Sequence, residues 1–287
     1  MNSGPGEPRN NVIAPGAVVE KLAGGFAFTE GPGCDPHGNV YFTDQPNDRI
    51  MRWDVEGRLS TYLQPAGRAN GLYFDREGNL IACADERNAL WSIAPDHTIT
   101  VLRDSYDGKA FNGPNDVWAR PDGALYFTDP FYPRPWWQHD AMPQDGQHVY
   151  FLSADRQRLM RATGDLVKPN GIIGAPDGKT LFVSDIEAKR TYRFDSAPDG
   201  SLTNKTLVVD HGSDGMTLDD EGHIYLTGDG VMVFDLAGRL VEHIRIREEE
   251  WTANVCFGGL DRRTLFITAS TGLYAIRMRV TGANAAK

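Results

Sequence analysis

The feature that most constrains this chain is a short unit that recurs along it: an alternating apolar segment, a turn built on Asp and Gly, and a second apolar segment often closing on Asp. The turns read DPHG at 35–38, DREG at 75–78, RPDG at 120–123, APDG at 175–178 and DDEG at 219–222, with a degraded sixth copy, DRR, at 261–263. The segments VYFTD, LIACAD, LYFTD, TLFVSD, IYLTGD and TLFIT follow them. Third strands read IMRWD, ALWSI, HVYFL, TYRFD, VMVFD and GLYAI, and fourth strands include STYLQ, TITVLRD, TLVVD and LVEHIRI. Four antiparallel strands per unit, repeated at roughly 40–55 residues, predict an all-β, six-bladed propeller, because a single such sheet cannot bury both faces and six packed radially can.

The last unit stops after its third strand, while AVVEKLA at 17–23 precedes the first inner strand. The amino-terminal segment is therefore expected to supply the outer strand of the last blade and close the ring, which removes two loose sheet edges. The expected organisation is a flexible segment over 1–16, one propeller domain over 17–280 and a tail over 281–287.

Composition narrows the partners. A formal net charge of −10 and no dense Lys/Arg run argue against nucleic acid. The three cysteines, Cys34, Cys83 and Cys256, are too scattered for a disulfide framework and read as small core residues. The amino end lacks the apolar core of a signal peptide and no run reaches a membrane span, so the expectation is a cytoplasmic protein without a membrane partner. No GxSxG elbow or phosphate-binding glycine loop is present.

The first strand of each blade lines the central channel, so residues equidistant from the six turns should form a ring. Counting back eight positions from the turn residue gives Glu30, Asn70, Asn115, Asn170, Asp214 and Asn254, each a Glu, Asp or Asn. Carboxylates and amide carbonyls without Cys or His suit a hard divalent cation, Ca²⁺ first, with Mg²⁺, Mn²⁺ or Zn²⁺ as substitutes. The structural alternative is that Asn and Asp cap strand starts. His211, three residues before Asp214, is the one histidine placed to hang over the channel mouth, although an ordinary loop position explains it as well.

The ring motifs FTEGP at 28–32, NGPNDV at 112–117, KPNGI at 168–172 and SDGMTLD at 213–219 resemble, in order and at blade spacing, those of the senescence marker protein/gluconolactonase family, which includes regucalcin and bacterial lactonases. The resemblance implies one catalytic divalent cation held by Glu30, Asn170 and Asp214, with Asn115 joining them. An Arg-Phe-Asn-Asp run that contacts substrate in other members is AFNGPND here, so Asn112 or Asn115 stands in its place. Some calcium lactonases hold a second, structural cation near the equivalent of YFTDPFY, which points to Asp129.

An insertion, FYPRPWWQHDAMPQDGQ at 131–147, follows the second strand of blade three and should overhang the ring. Aromatic residues there read as a sugar-binding lid or as an oligomer contact, with Tyr132, Trp136 and Trp137 as candidate substrate contacts. The expected reaction is hydrolysis of a sugar lactone, glucono-1,5-lactone first, with Asp214 as general base and Asn70 and Asn254 as outer residues of the ring. A phosphotriester hydrolase on the same site and a non-enzymatic propeller with a structural ion are the alternatives, and the oligomeric state is not legible.

Overall fold

Each repeat is set locally by its turn. In the first, Asp35 Oδ1 accepts the backbone N–H groups of His37 and Asn39, both at 2.9 Å, and Gly38 takes the positive φ of 94° that reverses the chain. Asp219 accepts from Glu221 and His223 in the same way at 3.0 and 2.8 Å. The flanking segments, apolar and β-branched, then pair as antiparallel strands.

A computed structural model describes residues 12–137 and 139–283 of the chain. Its strands form six four-stranded antiparallel sheets and one small hairpin, Ser105–Tyr106 with Lys109–Ala110. Blade one is Thr29–Cys34, Val40–Asp44, Arg49–Trp53 and Leu59–Leu63 from the axis outward, and blades two to five repeat this order. The last blade runs Thr252–Gly258, Thr264–Ala269 and Gly272–Arg277, and its outer strand is Glu20–Gly24, with Glu20 opposite Ala275. The ring is closed as the sequence pattern predicts.

Residues 1–11 of the expected flexible segment lie outside the described residues, as do 284–287 of the tail. From Val12 onward the chain is packed: Val12 is fully buried among Val255, Ile276 and Met278, and Ile13 bridges Met278. Gly282 bridges Asp219 of blade five, so the chain beyond the last strand also lies against the propeller. No helix among the described residues is long and apolar enough to cross a membrane.

Aromatic and aliphatic side chains fill the wedges between blades, as where Trp118, Tyr126 and Phe151 of blade three meet Phe182 and Phe194 of blade four. At the axis the blades are tied by polar contacts. Thr43 Oγ1 donates to the Asn70 carbonyl at 3.1 Å, Thr128 Oγ1 to the Asn170 carbonyl at 2.7 Å and Thr227 Oγ1 to the Ala253 carbonyl at 2.8 Å, each from one blade to the next. Close approach demands glycine beside the ring residues: a Cβ on Gly215 would fall on the amide of Asn254 in the neighbouring blade. Gly31, Gly71 and Gly171 occupy the corresponding place after Glu30, Asn70 and Asn170. A cavity of about 130 Å³ continues the axis below the ring, from Asp116 and Asn254 to Asp75 and Arg262 at the turn face.

The threonine straps yield a stability prediction. Thr128→Val keeps the shape but leaves the buried Asn170 carbonyl without its donor, and should cost about 1–3 kcal/mol in urea unfolding, whereas Thr206→Val on the exposed outer strand of blade four should stay within about 0.5 kcal/mol.

Candidate active site

The six ring residues all stand where an inner strand begins, and five of them are nearly inaccessible: Glu30, Asn70, Asn115, Asn170 and Asn254 are buried, with Asp214 half-buried. The bulge that follows Glu30 in the pairing of blade one, and those after Ala69, Pro169 and Thr252, break the ladder at this level and turn side chains toward the axis.

Hydrogen bonds connect neighbouring blades there. Asn170 Nδ2 donates to Asp214 Oδ1 at 2.8 Å and to the Tyr132 hydroxyl at 3.0 Å, which leaves Asn170 Oδ1 buried without a partner among the described residues. Asn254 Nδ2 donates to Glu30 Oε2 at 3.4 Å, and the Gly31 N–H reaches the same oxygen at 2.7 Å. Asn115 is tied through its backbone, its N–H to the Thr128 carbonyl at 2.9 Å and its carbonyl to Gly71 N–H at 2.7 Å. Asn70 is buried, with its backbone carbonyl strapped by Thr43.

Two residues escaped the sequence reading. Asp116 occupies the place after the ring where four other blades carry glycine, and its carboxylate accepts Val117 N–H at 2.9 Å and Ile172 N–H at 3.4 Å beneath the ring. The PND triplet was its visible signal, since only there does a carboxylate replace the glycine. Trp251 donates from Nε1 to Asp214 Oδ2 at 2.7 Å while its ring remains 40% exposed. It lies in the link before the last inner strand, outside any repeat register, and no sequence pattern marks it.

The charges of three carboxylates thus act on one another near the axis. Burial, then the neighbouring Asp214 charge, pushes Glu30 well above the usual carboxylate range. Burial also lifts Asp116 to about 7, and lifts Asp214 to about 6 against the opposing bonds from Trp251 and Asn170 and the positive charge of Arg134. A divalent cation among them would relieve this repulsion. Among the described residues no three His, Cys, Asp or Glu side chains gather as a metal-binding set, so amide oxygens must complete any shell. The orphaned Asn170 Oδ1 is such an oxygen, and the donor set fits a hard ion.

Other candidates have different tasks. Asn112 is fully buried, with Nδ2 donating to the carbonyls of Asp129 and Gly146 at 3.0 and 2.8 Å and Oδ1 accepting Gln144 N–H at 3.1 Å, so it braces blade three and offers nothing to a substrate. Asp129, also fully buried, accepts Asn112 N–H at 3.0 Å and Gly113 N–H at 2.8 Å and clamps the chain entering its blade. Asp44 and Asp185 do the same for Ala27 and Phe28 and for Val167 and Lys168, which makes Asp129 a member of a structural series. His211 directs Nδ1 to the Gly212 carbonyl at 2.6 Å and lays its ring against Phe234, away from the bonds of the ring residues.

Tyr132 reaches the ring through Asn170. The indole N–H groups of Trp136 and Trp137 instead both bond Asp85 of blade two, at 2.9 Å each, and Trp137 stacks between Phe131 and His139. The pair anchors the insertion; its polar atoms are not free for a sugar.

Known proteins share the sequence and the fold. The chain is 29% identical to a gluconolactonase of Zymomonas mobilis, over 92% of this chain and 82% of that one. It is 26% identical to a pentonolactonase of Haloferax volcanii, over 85% and 81% of the two chains. A solved gluconolactonase structure from Xanthomonas campestris superposes with a TM-score of 0.86 at 28% identity, over 93% and 91%. The family model described as the SMP-30/gluconolactonase/LRE-like region matches residues 28–271, and the chain therefore belongs to the SMP-30/gluconolactonase/LRE-like family.

Proposed function

We propose that this lactonase opens a small sugar lactone, glucono-1,5-lactone first, to the aldonic acid, and that Glu30, Asn115, Asn170 and Asp214 hold one divalent cation, Ca²⁺, at the axis. The observation that carries the reading is the Tyr132–Asn170–Asp214 chain of hydrogen bonds at the channel mouth, with Asn170 Oδ1 buried and unpartnered. Sugar lactones are the named substrates of the Zymomonas and Haloferax relatives, which supports the substrate class.

The ion would supply Lewis-acid polarisation of the lactone carbonyl. The side chains account for the rest. Asp214 is the proton carrier: it takes a proton from the attacking water as the new C–O bond forms and returns it to the ring oxygen as the old C–O bond breaks. Trp251 and Asn170 donate to its two oxygens and fix the plane of the carboxylate. The Tyr132 hydroxyl accepts from Asn170, so its own proton is available to an oxygen of the substrate, and Lys168 Nζ sits 4.2 Å from the centre of its ring. The exposed face of Trp251 offers an apolar wall for the C–H side of a sugar.

Three outcomes test this in a proton-release assay corrected for spontaneous lactone opening. Asp214→Ala should lower kcat by about 10²–10⁴-fold with an unchanged urea midpoint; near-normal turnover would remove Asp214 from the reaction. Trp251→Phe keeps an aromatic ring and loses the N–H, so kcat should fall about 5–30-fold, with a smaller rise in KM from the shortened wall. Chelation with EGTA should abolish turnover and added Ca²⁺ restore it, and activity that survives exhaustive chelation would refute the cation. A phosphotriester assayed in parallel should show no comparable hydrolysis.

A further inference from the structure

Asp85 is a buried acid, 2% exposed, whose carboxylate bonds no residue of its own blade among the described residues. Strand pairing sets Ala84 opposite Ala69 as Asp44 is set opposite Thr29, so Ala84, not Asp85, occupies the position of the entry clamps. Asp85 is the next residue along, the counterpart of Gln45, which merely reaches the Arg68 carbonyl. Asp85 reaches across to the insertion of blade three instead. Its Oδ2 accepts Trp136 Nε1 at 2.9 Å and lies 3.5 Å from Arg134 Nε, and its carbonyl accepts Trp137 Nε1 at 2.9 Å.

Residues 131–137 belong to no strand, and the one backbone bond within them is Trp137 N–H to the Arg134 carbonyl at 3.1 Å. A segment without a ladder takes its position from its side-chain anchors. One anchor is its stem, where Phe131 N–H donates to Gln147 Oε1 at 2.7 Å. The other is Asp85, reinforced by the Arg68 guanidinium 4.8 Å over Trp136 and by Trp137 lying against Gly113. Between the anchors are Tyr132, bonded to Asn170, and Arg134, whose guanidinium carbon is 5.5 Å from the centre of the Tyr132 ring. Arg134 also supplies, from the insertion, a cation close enough to Asp214 to act on its charge, where the AFNGPND stretch carries none.

We propose that Asp85 is a positioning residue that latches segment 131–137 to blade two and so holds Tyr132 and Arg134 over the axial site, with Arg134 a substrate-binding residue. Its kinetic arm rests on the lactonase reading; its structural arm does not. The variants are Asp85→Ala, Asp85→Asn, which keeps an acceptor for Trp136 and loses the charge facing Arg134, and Trp136→Phe, which removes the same bond from the other side.

Amide exchange by mass spectrometry on the full chain should quicken by about tenfold or more at the bonded amides of 131–137, those of Phe131 and Trp137, in Asp85→Ala, and less in the other two, with the blade strands unaffected. For glucono-1,5-lactone, KM should rise about tenfold in Asp85→Ala with kcat within about threefold of the parent. Asp85→Asn should restore part of the KM, and Arg134→Ala should raise KM with no more change in exchange than Asp85→Asn shows. Faster exchange with an unchanged KM would reduce Asp85 to a purely structural anchor, and a raised KM with unchanged exchange would refute the latch. If the parent chain turned over no lactone, the functional reading would fail, while the exchange data would still decide whether Asp85 holds the segment.

Discussion

Everything at the mouth of this propeller depends on how closely the inner strands approach one another. The approach is enforced by threonine hydroxyls and backbone N–H groups that bond carbonyls in the next blade, as from Thr128 to Asn170 and from Gly215 to Ala253. These acceptors belong to, or adjoin, the residues whose side chains form the ring. The bonds that close the fold therefore also aim the site. Buried polar groups of this kind are costly when unmatched, so the arrangement is tightly specified.

The electrostatics follow from that closeness. Glu30, Asp116 and Asp214 are brought together from blades one, three and five, and burial raises the proton affinity of each. Donors are shared unevenly: Asp214 receives two side-chain bonds, and Glu30 one from the amide of Asn254. Asn170 is left with an acceptor that meets no donor among the described residues. Buried carboxylates and a spare amide oxygen are what the proposed cation would need, while Arg134 acts on the Asp214 charge from the insertion.

The blades are alike in pattern and unlike in use. Asp44, Asp129 and Asp185 clamp the entering chain of blades one, three and four, whereas Ala84, Gly228 and Ala269 occupy that place in the others. In blade five the missing side chain leaves Gly228 beside the ring of Trp251. In blade two the next residue, Asp85, turns to the insertion. The departures from the repeat, more than the repeat itself, shape the walls of the mouth.

Spacing alone determined a good deal about this protein. Turns built on Asp and Gly fix where strands reverse, so their period revealed six blades, the amino-terminal closing strand and the six ring positions, because local hydrogen bonding and alternation are properties of short segments. It could not separate Asn115 from Asn112, since both are amides only three residues apart and only packing decides that Asn112 is enclosed on every side. Nor could it show that Asp129 is a clamp, that Trp136 and Trp137 hold an anchor, or that Asp116 and Trp251 belong to the site. Those roles depend on which residues of distant blades come within about 3 Å of each other, and that distance is set by closing the ring.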